Sequence, residues 1–300
     1  AKRQRPRAVR HRAQAVITIG TRGSALALAQ AHLVADRLGP DVEIRVLRTA
    51  GDTSDRPIRE LGDGVFVTAI EEALRAGDID LAVHSLKDLP TEESADLLIA
   101  AIPEREDPRD VLVTRSRDGL AGLPQGAVVG TSSPRRAAFL RALRADATAR
   151  DIRGNVDTRL RKVRDGDYDA VIVAAAGLRR LGIAFDEREA LPVDLCPPAP
   201  GQGALAVRVR AADAELRARV AALDDPVTRV AVTAERELLR LMGASCEIPL
   251  GALGRHEGGP VHLDAALADD SGVRRASVRG NDPNDVARRA ADVLGAAARV

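Results

Sequence analysis

From Val16 onward, short apolar runs alternate with stretches of helical apolar spacing, the pattern of an α/β protein. "VITIGT" predicts a strand. Ser24 then stands as N-cap to the helix "ALALAQAHLVADRL", which Gly39–Pro40 terminates. "VEIRVLRT" is the next strand. Residues 50–65 carry Gly, Asp and Pro without periodicity, and a loop of that length inside a compact unit is usually functional or mobile. The helix "FVTAIEEALRAG", the strand "IDLAVHS", the loop "LKDLPTEES" and the strand "DLLIAAI" follow.

Charge and proline interrupt the pattern at "PEREDPRD" (103–110), and a second α/β series begins. "DVLVT" and "AVVGTSS" are strands. "PRRAAFLRALR" is a helix with Pro134 at its first position, where a missing N–H costs nothing. The helix "VDTRLRKVRDG", the buried strand "YDAVIVAAA" and the short helix "GLRRLG" come next. "LCPPAPGQGA" (195–204) reads as a hinge or crossover. The strand "LAVRVR" and two helices, "DAELRARVAALD" and "PVTRVAVTAERELLRLMG", precede a tail of three strands and a helix, a small α+β unit of about eighty residues.

The two series echo each other. "IGTRGS" at 19–24 and "VGTSSPRR" at 129–136 both read strand, Gly-Thr, Ser, helix. Each sets backbone N–H groups, a hydroxyl and arginine at a helix N-terminus, a place that favours anions. "AVHS" at 82–85 adds a third polar strand end. Two lobes whose strand ends meet at a cleft would face several anionic groups at once.

Composition narrows the classes. At 45% hydrophobic and 30% charged residues the chain is globular, not disordered. Two cysteines give no disulfide framework and fit a reducing compartment, so a cytoplasmic location is expected. The five histidines form no metal-ligand spacing, and no metal is expected. The longest apolar run, 170–178, is too short to span a bilayer, so no membrane is expected. The Arg-rich start, 1–15, reads as a solvated disordered tail. A net charge of +1 with 1% aromatic residues argues against nucleic acid, which wants a basic face and stacking rings. Only three of 45 basic residues are lysine (Lys2, Lys87, Lys162), and GC-rich codon usage explains that bias. Only arginine placement is therefore informative.

Cys246 lies in "LMGASCEIPLG", on a loop with polar flanks, where a reactive thiol finds the exposure it needs. Cys196, before Pro197–Pro198, is the competing nucleophile, and a disulfide between the two stays open. "HSLKDLP" packs His84, Ser85, Lys87 and Asp88 behind a buried strand: either a turn whose Asp solvates its own backbone, or a carboxylate in a cationic setting that handles a proton. Arg22, Arg135, Arg136, Arg153, Arg159 and Arg180 stand at strand ends or loop starts, whereas Arg217, Arg219 and Arg288 fall on solvated helix faces. Convergent arginines bind carboxylate or phosphate. Neither a Walker pattern nor a GxGxxG after a strand is present, which disfavours a nucleotide.

"TRGSALALAQA", "AVHSLKDLP", "EREDPRDVLV", "GTSSPRR", "IRGNVDTRL", "AAAGLRRLG", "PAPGQGALAV" and "GASCEIPLG" occur here in order. That succession, running from about Ile17 to the C-terminus, closely resembles the porphobilinogen deaminase (hydroxymethylbilane synthase) family. The resemblance implies two lobes of periplasmic-binding-protein type II flanking a cleft, followed by a small α+β C-terminal domain. The expected limits are 16–106 with 203–222 for domain 1, 107–202 for domain 2 and 223–300 for domain 3. It implies a monomer that deaminates four porphobilinogen molecules and joins them into hydroxymethylbilane on a dipyrromethane primer. The primer would be held by a thioether to Cys246.

By the same resemblance, Asp88 is the catalytic aspartate, next to the positive azafulvene that forms when ammonia leaves. Ser24, Lys87, Ser133, Arg135 and Arg136 would hold the cofactor. Arg22, Gln30, Phe66, Arg153, Arg159 and Arg180 would bind substrate, whose acetate and propionate arms make the growing chain a polyanion. Residues 50–65 would form a lid. Two departures stand out. Asp63 occupies a position where some members carry lysine, which puts one lid contact in doubt, and Pro134 replaces an apolar residue and should stiffen the helix start. Two rival readings remain: a non-catalytic two-lobed anion-binding protein, which needs neither Cys246 nor Asp88, and a homologue that keeps the fold without turnover.

Overall fold

Three sheets organise the chain, in a computed structural model that describes residues 16–47, 67–92, 94–243, 248–269 and 272–295. In the first sheet β1 (Ile17–Arg22) lies between β2 (Val42–Leu47) and β3 (Leu81–Ser85), all parallel. β9 (Leu205–Arg210) inserts antiparallel between β3 and β4 (Leu97–Ala101), giving the order β2-β1-β3-β9-β4. In the second, β6 (Val128–Gly130) lies between β7 (Thr148–Arg150) and β8 (Ala170–Ala174), again parallel, and β5 (Asp110–Thr114) pairs antiparallel with β8.

Written β7-β6-β8-β5, the second order repeats the first four strands of the first sheet, β2-β1-β3-β9, and has no counterpart to β4. In each lobe the antiparallel strand is the one formed as the chain crosses from the other lobe. The fold is thus the expected α/β pair of type II periplasmic-binding-protein lobes, and the sequence echo marks its two equivalent strand-to-helix turns, β1 to α1 (Ala25–Leu38) and β6 to α3 (Pro134–Leu143).

Sheet alternation sets the cores. On β8, Val171 and Val173 face a cluster with Ile152, Val163 and Leu178, while Ala170 and Ile172 face another built on Phe139, Leu112 and Val129. Helices α2 (Thr68–Ala76), α4 (Val156–Arg164), α5 (Ala175–Arg180) and α6 (Ala214–Ala221) complete the two lobes. Both faces being covered, the strands read as near-continuous apolar runs.

The third sheet is the antiparallel meander β10 (Leu250–Arg255), β11 (Val261–Asp269) and β12 (Gly272–Gly280). Helices α7 (Pro226–Leu241) and α8 (Pro283–Leu294) pack their apolar stripes on one face, with Val286, Ala287, Ala290, Ala291 and Leu294 buried. From the other face Ala266 and Ala268 enter the second lobe's cluster around Phe139. This is the small α+β C-terminal unit.

Two details depart from the sequence pattern, and a third settles one of its alternatives. β7 is an edge strand of three exposed residues and carries no apolar signal. α5 begins at Ala175, two residues before the stretch read as helical, because alanine suits a buried helix start as well as a strand end. Residues 195–204 form a fixed crossover. Gln202 N–H donates to Ala199 O (2.8 Å) and Leu86 N–H to Ala204 O (3.0 Å). Gly203 has φ +90°, and a Cβ there would fall 2.2 Å from Glu106 O, so only glycine fits. Among the described residues no helix is long and apolar enough to cross a membrane, and no cluster of His, Cys, Asp or Glu could hold a metal ion.

Candidate active site

β3 ends at Ser85 and turns at once into a single 3-10 turn, Leu86–Asp88. Lys87 and Asp88 therefore stand at the carboxyl end of a strand, where open α/β folds place ligands. Arg236 of α7 donates to the carbonyl oxygens of Leu86 (3.3 Å), Leu89 (3.1 Å) and Pro90 (2.6 Å), so the third unit clamps this turn. Asp88 is exposed and Lys87 half-buried. Lys87 Nζ donates to Gln202 Oε1 at 3.2 Å. Burial, helped by the nearby Arg136 and opposed by Asp88 and Asp110, pulls its ammonium down to about 8.

Gln202 reaches into the second lobe. Its Nε2 donates to Pro108 O (2.7 Å) and to Asp110 Oδ1 (2.9 Å). Asp110, the first residue of β5, is fully buried. It pairs with Arg135 at 2.7 Å through Oδ2 and with Arg136 at 2.7 and 3.1 Å through Oδ1. Burial alone would raise this carboxyl, but Arg135 and Arg136 hold it well below the usual carboxylate range. Both arginines are nearly buried, at 4% and 7% exposure, and each spends a further N–H on a carbonyl: Arg135 on Pro197 O (2.7 Å), Arg136 on Ile172 O (3.0 Å). Ser133 caps α3, accepting from Arg136 N–H at 3.4 Å.

Two more arginines sit under the same influence. Arg159 Nε donates to Gly154 O (2.8 Å), and burial together with Arg136 lowers its pKa. Arg180 donates to Gly203 O (2.6 Å), and burial, opposed by Glu106, brings it to about 10. Desolvation is the main cause of these shifts. Arg135 and Arg136 share one buried carboxylate, Asp110, and Lys87, with the exposed Asp88 beside it, reaches that carboxylate through Gln202, so cations outnumber carboxylates at the junction of the lobes.

Beside its charged Arg22, Lys87 and Asp88, the first lobe contributes neutral groups. Ser24 caps α1 through Ala27 N–H (3.2 Å), and buried Gln30 donates to Ser85 Oγ (2.9 Å). Arg22, half-buried, ends β1. His84 is buried on β3, its Nε2 without a hydrogen-bond partner among the described residues, and desolvation with the nearby Arg208 drops it to about 3, so it is neutral.

Cys196 is not a nucleophile in this setting. It is 1% exposed, and burial next to Asp110 pushes its thiol up to about 12. The crossover fixes its geometry, and desolvation silences it.

Two family models match the sequence: porphobilinogen deaminase, dipyromethane cofactor binding domain, over residues 17–218, and porphobilinogen deaminase, C-terminal domain, over 229–296. Proteins named porphobilinogen deaminase are similar along most of the chain. That of Roseiflexus castenholzii is 49% identical over 278 residues, covering 90% of this chain and 92% of its own. That of Acidothermus cellulolyticus is 50% identical over 300 residues, covering 95% and 91%; that of Mycobacterium leprae is 54% identical over 241 residues, covering 79% and 76%. The chain belongs to the porphobilinogen deaminase family.

The family resemblance singled out Lys87, Asp88, Ser133, Arg135, Arg136, Arg159 and Arg180, and these gather at the junction of the two lobes. Ser24, Gln30 and Arg22 occupy the matching turn of the first lobe. Arg153 precedes the turn at Gly154 that opens α4. Phe66, Asp63, the loop 50–65 and Cys246 lie outside the described residues. The residue-by-residue reading missed Asp110, Gln202 and Arg236. "EREDPRDVLV" and "PAPGQGALAV" contain the first two, but nothing local tells a counter-ion from a strand's first polar residue.

Proposed function

We propose that the chain is a hydroxymethylbilane synthase, joining four porphobilinogen molecules head-to-tail into a linear tetrapyrrole on a dipyrromethane attached to Cys246. The observation that carries the reading is the buried excess of cations over carboxylate at the lobe junction. Dipyrromethane fits it, since its acidic arms would supply the charge that Lys87, Arg135 and Arg136 lack against Asp110. Bound there, the primer would supply a nucleophilic pyrrole carbon.

The other residues then have separable tasks. Ser24 and Ser133, at helix N-termini, hold carboxylate oxygens of the primer together with Lys87, Arg135 and Arg136. Arg22, Gln30, Arg153, Arg159 and Arg180 orient the arms of the incoming pyrrole, with Phe66 against its ring. Asp88, exposed on its clamped turn, stabilises the cation formed when ammonia leaves and shuttles a proton at its carboxylate. Domain 1 comprises 16–106 and 203–222, domain 2 107–202 and domain 3 223–300. The sheet memberships support these limits. A cytoplasmic monomer fits a chain with two cysteines and a net charge of +1.

Intact mass tests the proposal. Purified protein should be heavier than its sequence by one dipyrromethane, colour with Ehrlich's reagent and consume porphobilinogen. Cys246→Ala should have the plain sequence mass. Unmodified wild-type protein that leaves porphobilinogen untouched would overturn the reading.

A further inference from the structure

A cavity of about 510 Å³ opens in the second lobe, framed by the end of β5, by α4 and by the segment after α5. Its floor is apolar: Val113, Leu160, Val163, Leu178, Ile183 and Phe185. Three arginines, Arg115, Arg117 and Arg164, stand at the rim, and no acidic side chain lines it.

The rim charge is unevenly spent. Arg117 is anchored, donating to Glu189 Oε2 (3.0 Å) and Ala184 O (2.9 Å). It is also the one non-glycine residue with positive φ, +62°, among the described residues, a backbone state that costs free energy and persists only where surroundings enforce it. The exposed side chains of Arg115 and Arg164 make no hydrogen bond or ion pair among the described residues. The aromatic ring is equally telling. The chain has three phenylalanines and no tryptophan, and one of the three, Phe185, stands half-buried in this wall with Arg179 against its ring, 5.6 Å from the centroid.

We propose that this cavity is a binding site, separate from the lobe junction, for a small amphipathic anion: a flat or short-chain apolar body on Phe185 and the aliphatic floor, with a carboxylate or sulfonate held by Arg115 and Arg164. The volume suits a ligand of that size, and two unneutralised guanidiniums at an apolar mouth select a negative head. The site shares its elements with the cleft. α4 carries Arg159 as well as Leu160, Val163 and Arg164, and α5 carries Arg180 as well as Leu178.

The test uses cofactor-loaded protein and 8-anilinonaphthalene-1-sulfonate, followed by fluorescence. One saturable site is expected, displaced by decanoate and not by porphobilinogen. The double variant Arg115→Ala/Arg164→Ala should bind the probe at least about tenfold more weakly. Arg288→Ala, at an exposed arginine on α8, should bind as the wild type does. A second variant, Ala184→Trp, obstructs the mouth without altering charge and should also abolish binding; thermal melts confirm that each variant is folded. Absence of a saturable site in the wild type, displacement by porphobilinogen, or unchanged affinity in the folded double variant would each overturn the proposal. Binding is read without turnover, so the result stands independently of the activity proposed above.

Discussion

The turns after β1 and β6 occupy equivalent places in the two lobes, begin with the same Gly-Thr pair and end in a serine-capped helix. Their electrostatics differ. Behind the β6 turn, Arg135 and Arg136 are buried on Asp110, a charged cluster fixed by two ion pairs and two carbonyl bonds. Behind the β1 turn, the buried contact is a neutral hydrogen bond, Gln30 to Ser85. One lobe holds permanent charge in a rigid setting; the other offers hydroxyl, amide, the titratable Lys87 and an exposed carboxylate, Asp88, on a turn clamped from outside. A polyanion can thus be anchored by one wall while chemistry proceeds at the other.

Removing the counter-ion should break the comparison hardest. Asp110→Ala leaves two arginines buried without their carboxylate, and losing one partner of a buried pair costs about 3–5 kcal/mol. The midpoint of urea unfolding should fall accordingly in cofactor-free protein, and by less in loaded protein, whose carboxylates would compensate the arginines. Equal losses in both forms would mean the arginines never face the primer. Gln30→Ala, the matching deletion in the first lobe, should cost only about 1 kcal/mol.

Arg236→Ala tests the clamp on the turn that carries Asp88. It removes the guanidinium that binds the carbonyls of Leu86, Leu89 and Pro90, on either side of Lys87 and Asp88. The expected result is a kcat about tenfold lower with dipyrromethane still attached and KM nearly unchanged, as slight misplacement of a reacting group produces. A variant with kcat intact would show that the turn holds itself.

The pH dependence sharpens the contrast further. Lys87 has its pKa lowered from 10.5 to about 8, so the folded protein gives up this proton before the unfolded chain does. Between about 8 and 10.5 the unfolded state binds more protons, and the Lys87 contribution to stability rises with pH through that window. Anion binding moves the opposite way, because the cation is lost above about 8. Loading of cofactor-free protein with dipyrromethane should therefore slow by roughly threefold to tenfold between pH 7 and 9. Lys87→Met should load slowly at both pH values. His84 acts at the acid end. Its pKa is lowered from 6.5 to about 3, so stability should fall as pH drops from about 6.5 toward 3, where the unfolded chain takes up the proton that the buried ring refuses.

Much of this was legible in the chain. Ser24 and Ser133 announced their helices, and the repeated Gly-Thr turn announced two related lobes, because capping and turn chemistry act over a few residues. The family motifs named Asp88 and the arginines as candidates. The contacts that organise the site were not legible. Gln202 meets Asp110 across 92 residues, and Arg236 reaches Leu86 across 150. Partners so distant leave no periodicity, and in a chain so rich in arginine a structural guanidinium looks like any other. β7 escaped for the opposite reason, since an exposed edge strand of three residues has nothing apolar to show.

The smallest effect falls on the two caps and separates their roles. Each serine accepts a backbone N–H at its helix start, Ser24 from Ala27 and Ser133 from Arg136. Replacement by alanine should cost about 1 kcal/mol of stability in either lobe. If capping were their whole purpose, the two variants would lose stability equally and keep their cofactor equally. Ser133 stands beside the charged cluster, however, and its acceptor fixes the backbone of Arg136, whose guanidinium holds Asp110. Ser133→Ala should therefore carry dipyrromethane on a smaller fraction of its chains, read by intact mass, than Ser24→Ala does. The two should match in thermal midpoint, so that a difference in loading at equal stability isolates the electrostatic anchor in the second lobe.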